Sequence, residues 1–371
     1  MKLTMKLTIG LAIAAACLVV ISQGRGLAPQ NSARTPAAAS TLPVLAQIAP
    51  VLTVPANGDV NPYGVAYVPA GFPAGGTILA GDILVSNFNN SANLQGTGTT
   101  IVSRSPNGQM GTFFQGSPGL GLTTALGVLS KGLVLVGNVA TRDGTSATIQ
   151  TGSLLVINNT GQLVATITDP TLDSPWDLTI QEKGQKATVF VSNVISGTVT
   201  RLDISTKHDT VTILSKTQIA SGYLTAPNAA ALVVGPTGLA FDSANDILYV
   251  ASTGDNKIYK ITGASTAQSS SGTGTVVYSD STHLHGPLGL VLAPNGNLIT
   301  SNGDAINADP TQNSEIVEFT TTGTFVSQFP VDTVPGAAFG IAMETIGGGF
   351  AQFAAVDDNT NSVSNWIVRT Q

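Results

Sequence analysis

The 371-residue chain has a single cysteine, Cys17, and three histidines, His208, His283 and His285. One thiol cannot build a disulfide framework or a cysteine-ligated zinc site. Only 10% of the residues are charged, and the 15 Lys and Arg are scattered, with a formal net charge of −6. No basic cluster is available to neutralise phosphates, so nucleic acid is excluded as a partner. The apolar run at residues 7–21 is too short to span a bilayer comfortably. What is plentiful is apolar residues, at 42%, and 41 glycines among many Thr, Ser and Asn. That mixture supports a packed core made of short strands and turns rather than helices, and it excludes disorder for most of the chain.

The first 24 residues read as a secretory signal. Lys2 and Lys6 precede the apolar run, and Ser22-Gln23-Gly24 offers a small-x-small cleavage site. Two other readings stand beside it: an uncleaved anchor, and a lipoprotein box at Ala14-Ala15-Ala16-Cys17, where Leu would be usual in place of Ala14. Residues 25–45, rich in Ala, Pro, Ser and Thr, read as a spacer. The expected destination is outside the cytoplasm, secreted or periplasmic, as a monomer without a membrane span.

From residue 46 onward one phrase recurs: a small turn, a glycine, then an apolar strand. Its glycines are Gly64, Gly127, Gly238, Gly289 and Gly340, with Asp177 standing in the third repeat. The steps are 63, 50, 61, 51 and 51 residues, a period near 50 with two insertions. Each unit holds four strand patterns, A to D; in the fourth they fall at 238–241, 247–251, 257–261 and 275–278. Four strands at this period predict a blade, and six such units predict an all-β, six-bladed β-propeller over residues 46–371. The last unit runs out after three strands. A strand at 46–54 is expected to supply its fourth and close the ring, removing the open edge.

The stretch Gly235-Pro236-Thr237-Gly238-Leu239-Ala240-Phe241-Asp242, with Ile247-Leu248-Tyr249-Val250-Ala251 and Lys257-Ile258-Tyr259-Lys260-Ile261, resembles the NHL-repeat propellers and the related gluconolactonase (senescence-marker-type) superfamily. That resemblance implies the same fold and, for the gluconolactonase-like members, Asn or Asp metal ligands just before several strand-A glycines. Here those positions are Tyr63, Leu126, Trp176, Thr237, Leu288 and Phe339. They offer almost no hard oxygen, so the family's catalytic metal set is expected to be missing. Trp176-Asp177 begins a strand and is not a WD-repeat signature.

The long connections, at 87–98, 139–151, 221–234 and 303–313, fall on the face carrying the D–A and B–C loops, with exceptions opposite at 69–82 and 263–274. Insertions on one face point to a binding face. Two rings should surround the channel there. Tyr63, Trp176 and Phe339 are the expected aromatic contacts; Asn87, Asn138, Asn193 and Asn302, with Thr253 and Asp358, end strand B and offer amides and a carboxylate. The alternative is that the amides satisfy loop backbone and the rings fill the hub. The expected role is a binding module for a protein, peptide or carbohydrate. The competing one is a lactonase-like hydrolase or lyase with a rearranged site at Asp177, His283, His285 and Asp358; no nucleophile arrangement supports it. No cofactor is expected, save Ca²⁺ if the oxygen-rich loop with Asp304, Asp309 and Glu315 binds one, and a solvated turn explains that loop equally well.

Overall fold

The computed structural model describes residues 40–42, 46–303, 315–334 and 336–370. These residues form six four-stranded antiparallel sheets and one two-stranded hairpin, with a single 3₁₀ turn at Ser146–Thr148. None of the described residues forms a helix long and apolar enough to cross a membrane.

The inner strands A are Val60–Tyr67, Leu122–Leu129, Pro175–Lys183, Pro236–Asp242, Pro287–Leu292 and Ala338–Gly347. Each sheet runs outward from its inner strand to strand D in chain order, except the last. There the outer strand is Ala46–Leu52, paired antiparallel with Ser362–Arg369. The ring is therefore closed by the N-terminal strand, as the unpaired edge of the sixth repeat predicts.

Why the repeat begins with a turn and a glycine is visible at the hub. An added Cβ at Gly64, Gly127, Gly238, Gly289 or Gly340 would lie 2.2–2.9 Å from an atom of the next blade. The inner strands pack too closely for any side chain there. Hydroxyls from strand B then join the blades. Ser86 Oγ accepts the Gly64 N–H at 3.0 Å and donates to the Thr123 carbonyl at 2.9 Å. Ser192 accepts from Asp177 and donates to Thr237; Ser301 accepts from Gly289 and donates to Phe339. The register breaks beside each of these glycines, or beside Asp177, free those N–H groups from the ladder.

The core lies between blades. Clusters such as Leu135, Leu154, Val189 and Leu202, or Phe190, Val199, Leu248 and Tyr259, pair one sheet with its neighbour. This is the burial that the alternating strand patterns require.

The fold also takes in residues upstream of 46. Ser40, Thr41 and Leu42, assigned to the spacer by composition, are docked on blade five. The buried Glu318 carboxylate accepts the Thr41 N–H at 2.8 and 2.9 Å, the Leu42 N–H at 3.0 Å and the Ser40 hydroxyl at 2.9 Å. Leu42 joins the core formed by Ile316, Phe353 and Trp366. The polar composition of the segment hid this, because the contacts are made by main chain and by one leucine.

Candidate functional site

The hub is not an open pore. Tyr63, Phe88, Val139, Trp176, Val194, Leu288 and Phe339 form one apolar cluster on the long-loop side. Tyr63 and Trp176 belong to blades one and three, yet their rings meet edge-on at 5.8 Å. Contact between non-adjacent blades means that the side chains close over the channel axis. Tyr63 also packs on Phe88 at 5.0 Å and on Phe339 at 4.9 Å. Trp176, expected as a ligand anchor, is only 1% exposed. Its ring is taken up by the plug and offers no face to a ligand.

The expected ring of amides resolves in a related way. Asn87 donates to the Thr53 carbonyl at 3.0 Å, and Asn138 to Leu120 at 3.2 Å. Asn193 donates to Thr171 at 3.1 Å and accepts the Asp173 N–H at 3.1 Å; Asn302 donates to His283 at 2.8 Å and accepts the His285 N–H at 2.9 Å. In each blade the asparagine ties down the loop that leads into its own strand A. All four are buried, so they shape the face from beneath.

Their partners on strand A are Pro62, Leu122, Pro175 and Pro287. By the same register the equivalent residue in blade six is Asp357, paired with Ala338, and in blade four Ser252, paired with Pro236. The repeat alignment that placed Thr253 and Asp358 in this ring is off by one residue. Since strand side chains alternate, Asp358 belongs instead with Phe88, Val139 and Val194, the plug positions. It is the carboxylate of a ring whose other polar side chain is Thr253, shifted in the same way. Burial, and then the neighbouring Asp357 carboxylate, push Asp358 up to about 7.

Above the plug lies a depression of about 490 Å³ between blades six and one. Tyr63, Phe88 and Phe339 form its floor, and Asn61, Asn89 and Asp358 stand around it. Among the described residues no Lys, Arg or His lines it. Asn61 holds a left-handed backbone at φ 59°, with its N–H donated to Asn361 Oδ1 at 2.8 Å. Asn89 donates Nδ2 to Asn93 Oδ1 at 2.7 Å. The Oδ1 atoms of both Asn61 and Asn89 are buried without a hydrogen-bond partner among the described residues. Two unpartnered acceptors, buried beneath the surface, and a carboxyl raised to about 7 therefore lie around an aromatic floor. One wall is shared across the ring, since Gln95 of blade one donates to the Ala230 carbonyl at 3.1 Å, beside the hairpin of Ala226–Asn228 and Leu232–Val234. Asn61 and Asn89 carry no signal in the sequence; no periodic phrase marks them.

Asp177 lies on the other side of the plug, in the channel that opens among the A–B turns. Its carboxylate accepts the Leu178 N–H at 2.8 Å and the Leu239 N–H of blade four at 3.1 Å. Burial pushes its carboxyl well above the usual range. His283 bonds Asp280 through Nδ1 at 2.6 Å and stacks on Phe325 of an outer strand at 3.9 Å. The carboxylate of Asp280 is held at about 2: burial opposes the shift, and the bonds from His283, the Thr282 N–H and Tyr278 outweigh it. His285 is buried, with Nε2 against the Thr282 carbonyl at 3.1 Å. The structure therefore does not bring Asp177, His283, His285 and Asp358 into one site.

Among the Ca²⁺ candidates, Asp304 and Asp309 lie outside the described residues. Glu315 is buried, and its Oε2 accepts the Val331 and Asp332 N–H groups, each at 3.0 Å. Among the described residues no group of three or more His, Cys, Asp or Glu is placed to hold a metal ion.

No family model and no curated protein matches the sequence. Solved propellers do match the structure. A putative oxidoreductase (glucose dehydrogenase) from Thermus thermophilus aligns with a TM-score of 0.52 at 11% identity, over 87% of this chain and 100% of that one. Regucalcin, a calcium-binding protein from Agrobacterium tumefaciens, aligns with 0.51 at 12%, over 86% and 95%. A luciferin-regenerating enzyme aligns with 0.50 at 10%, over 86% and 95%. At such identities the likeness is one of fold, and this fold carries calcium binding and more than one enzymatic activity.

Proposed function

We propose that the chain is a binding module whose long-loop face takes a neutral, donor-rich ligand, a carbohydrate or a peptide segment, in the depression between blades six and one. The observation that carries this is the pair of orphaned acceptors, Asn61 Oδ1 and Asn89 Oδ1, beside Asp358 over the rings of Tyr63 and Phe339. Hydroxyl or amide N–H groups answer the acceptors, and the aromatic floor takes an apolar face. Export by a signal at residues 1–24, as a monomer outside the cytoplasm, belongs to the same reading; N-terminal sequencing of the mature protein checks it.

The test is a glycan and peptide array followed by calorimetry of the best binder. Asp358→Asn and Phe339→Ala should each weaken binding about tenfold or more. Binding that ignores both substitutions ends this assignment. A second reading rests on Asp358 titrating near neutrality, as a general base requires. Hydrolysis of a lactone panel, abolished by Asp358→Asn, would replace the binding module with a lactonase-like enzyme.

A further inference from the structure

The channel below the plug is a separate chamber. It holds about 250 Å³ and opens on the face of the A–B turns. The aromatic cluster blocks its other end. Aliphatic side chains, Val65, Leu126, Leu178, Ile180, Leu290 and Ile341 among them, alternate along the walls with main-chain groups and the hydroxyls of Thr124 and Thr179. Two carboxylates break this surface. Asp177 lies at the blind end, next in sequence to Trp176 of the plug, and Glu344 lies further along its strand toward the mouth. Among the described residues no Lys, Arg or His lines the chamber.

The placement of Asp177 is specific. Its repeat position is glycine in the other five blades, where an added Cβ would meet the next blade at 2.2–2.9 Å. Blade three alone carries a side chain there, and that side chain is an acid in contact with the channel. Its two N–H partners satisfy one lone pair on each oxygen and leave further acceptor capacity on both.

We propose that this chamber is a second binding site, for a primary ammonium carried on a slender aliphatic chain, with Asp177 as its counter-ion. The chemistry of the walls selects this class. Aliphatic surface favours methylenes by removing them from water. A single carboxyl at the end pairs one ammonium, whose positive charge draws down the pKa that burial raises there. Ca²⁺ takes six to eight oxygen ligands, and among the described residues no group of three or more His, Cys, Asp or Glu is placed to hold a metal ion here. Anions meet two carboxylates and no cation. The chamber, at about 250 Å³, has room for a short aliphatic chain.

The probe is pentylamine, titrated calorimetrically into the full chain, with pentan-1-ol as the uncharged control. Binding to the native protein, weakened at least tenfold by Asp177→Asn and undetectable for pentan-1-ol, supports the assignment. Asp177→Gly is the second variant, because five repeats already fold with glycine there, and it should lose binding to the same extent. The proposal is overturned by no binding to the native chain, by equal binding of the alcohol, or by retention of affinity in both Asp177 variants. Loss in Asp358→Asn with retention in the Asp177 variants would overturn it too, by moving the amine to the long-loop face. Because the two sites open on opposite faces, failure here leaves the loop-face reading standing, and the converse holds.

Discussion

The two ends of the central channel are built from the same six inner strands, yet they differ in nearly every chemical respect. On the long-loop side, side chains from several blades meet across the axis and stop the channel with aromatic rings. On the opposite side the inner strands stay apart, and the lumen keeps aliphatic side chains around two carboxyl groups, Asp177 and Glu344. Local sequence decides the difference at single repeat positions. Large residues before the glycine make a plug; an aspartate in place of the glycine makes a lined chamber. A repeat fold can therefore give its two mouths unrelated chemistry without altering its scaffold.

The comparison presupposes a closed ring, so the most damaging change is removal of residues 46–54. Blade six would lose its outer strand and expose an edge, at a cost on the order of several kcal/mol. Thermal unfolding and solubility report this; an unchanged midpoint would refute closure by that strand. Next is Trp176→Ala, which opens the plug and should join the two cavities. A buried Trp truncation costs about 3–5 kcal/mol, read from urea unfolding. A change within about 0.5 kcal/mol would show that the rings are a lid and not packing.

Gly340→Ala should rank close behind. The new Cβ would lie 2.2 Å from the Tyr63 carbonyl, so blades six and one must separate, costing about 1–3 kcal/mol. Asp177→Gly at the equivalent position should change stability far less, because the inter-blade bond it loses is offset by removal of a buried acid. If the two substitutions cost the same, the inner ring is less tightly packed than these contacts require.

Asp358 gives the pH test. Its folded pKa is about 7, against about 3.9 for an unfolded Asp. The folded state holds the proton more tightly, so the native chain loses stability as pH rises from about 4 to about 7. Asp358→Asn removes that loss. The variant should gain on the native protein across this window, by about 1–2 kcal/mol once screening at the open side of the depression is allowed for. A stability difference flat with pH would mean that Asp358 is solvated.

Much of this architecture is legible in the chain. The glycine period, the turn residues and the missing strand of the last repeat give six blades and their closure, because a blade must repeat its packing. The face proposed for binding is marked in the sequence only by loop length. Three things are hidden. The amides that end strand B serve the adjacent loops, a role that composition cannot distinguish from ligand contact. Asp358 falls one residue out of line with its repeat position, and in a strand one residue exchanges the two faces. Asn61 and Asn89 lie at strand ends, outside the recurring phrase that marks each repeat.

The smallest expected effect lies outside the channel. Glu318 is held below the usual carboxylate range: burial opposes that shift, and the bonds from Asn297, Leu42, Thr41 and Ser40 outweigh it. Its contribution is present above about pH 4.3 and fades as pH falls through its lower folded value. Glu318→Gln should cost about 1 kcal/mol at neutral pH, with earlier proteolysis around residue 40 as the local readout.

That same carboxylate determines how the chain would bear a mechanical load. The closing strand is antiparallel to its neighbour, so tension applied at Ala46 would peel it one bond pair at a time. Tension applied upstream of Ser40 meets Glu318 first. Two main-chain N–H groups, a hydroxyl and the buried Leu42 are attached there to blade five. Force entering from the N-terminal side is thus borne by a neighbouring blade as shear, and the strand that closes the ring is relieved of it.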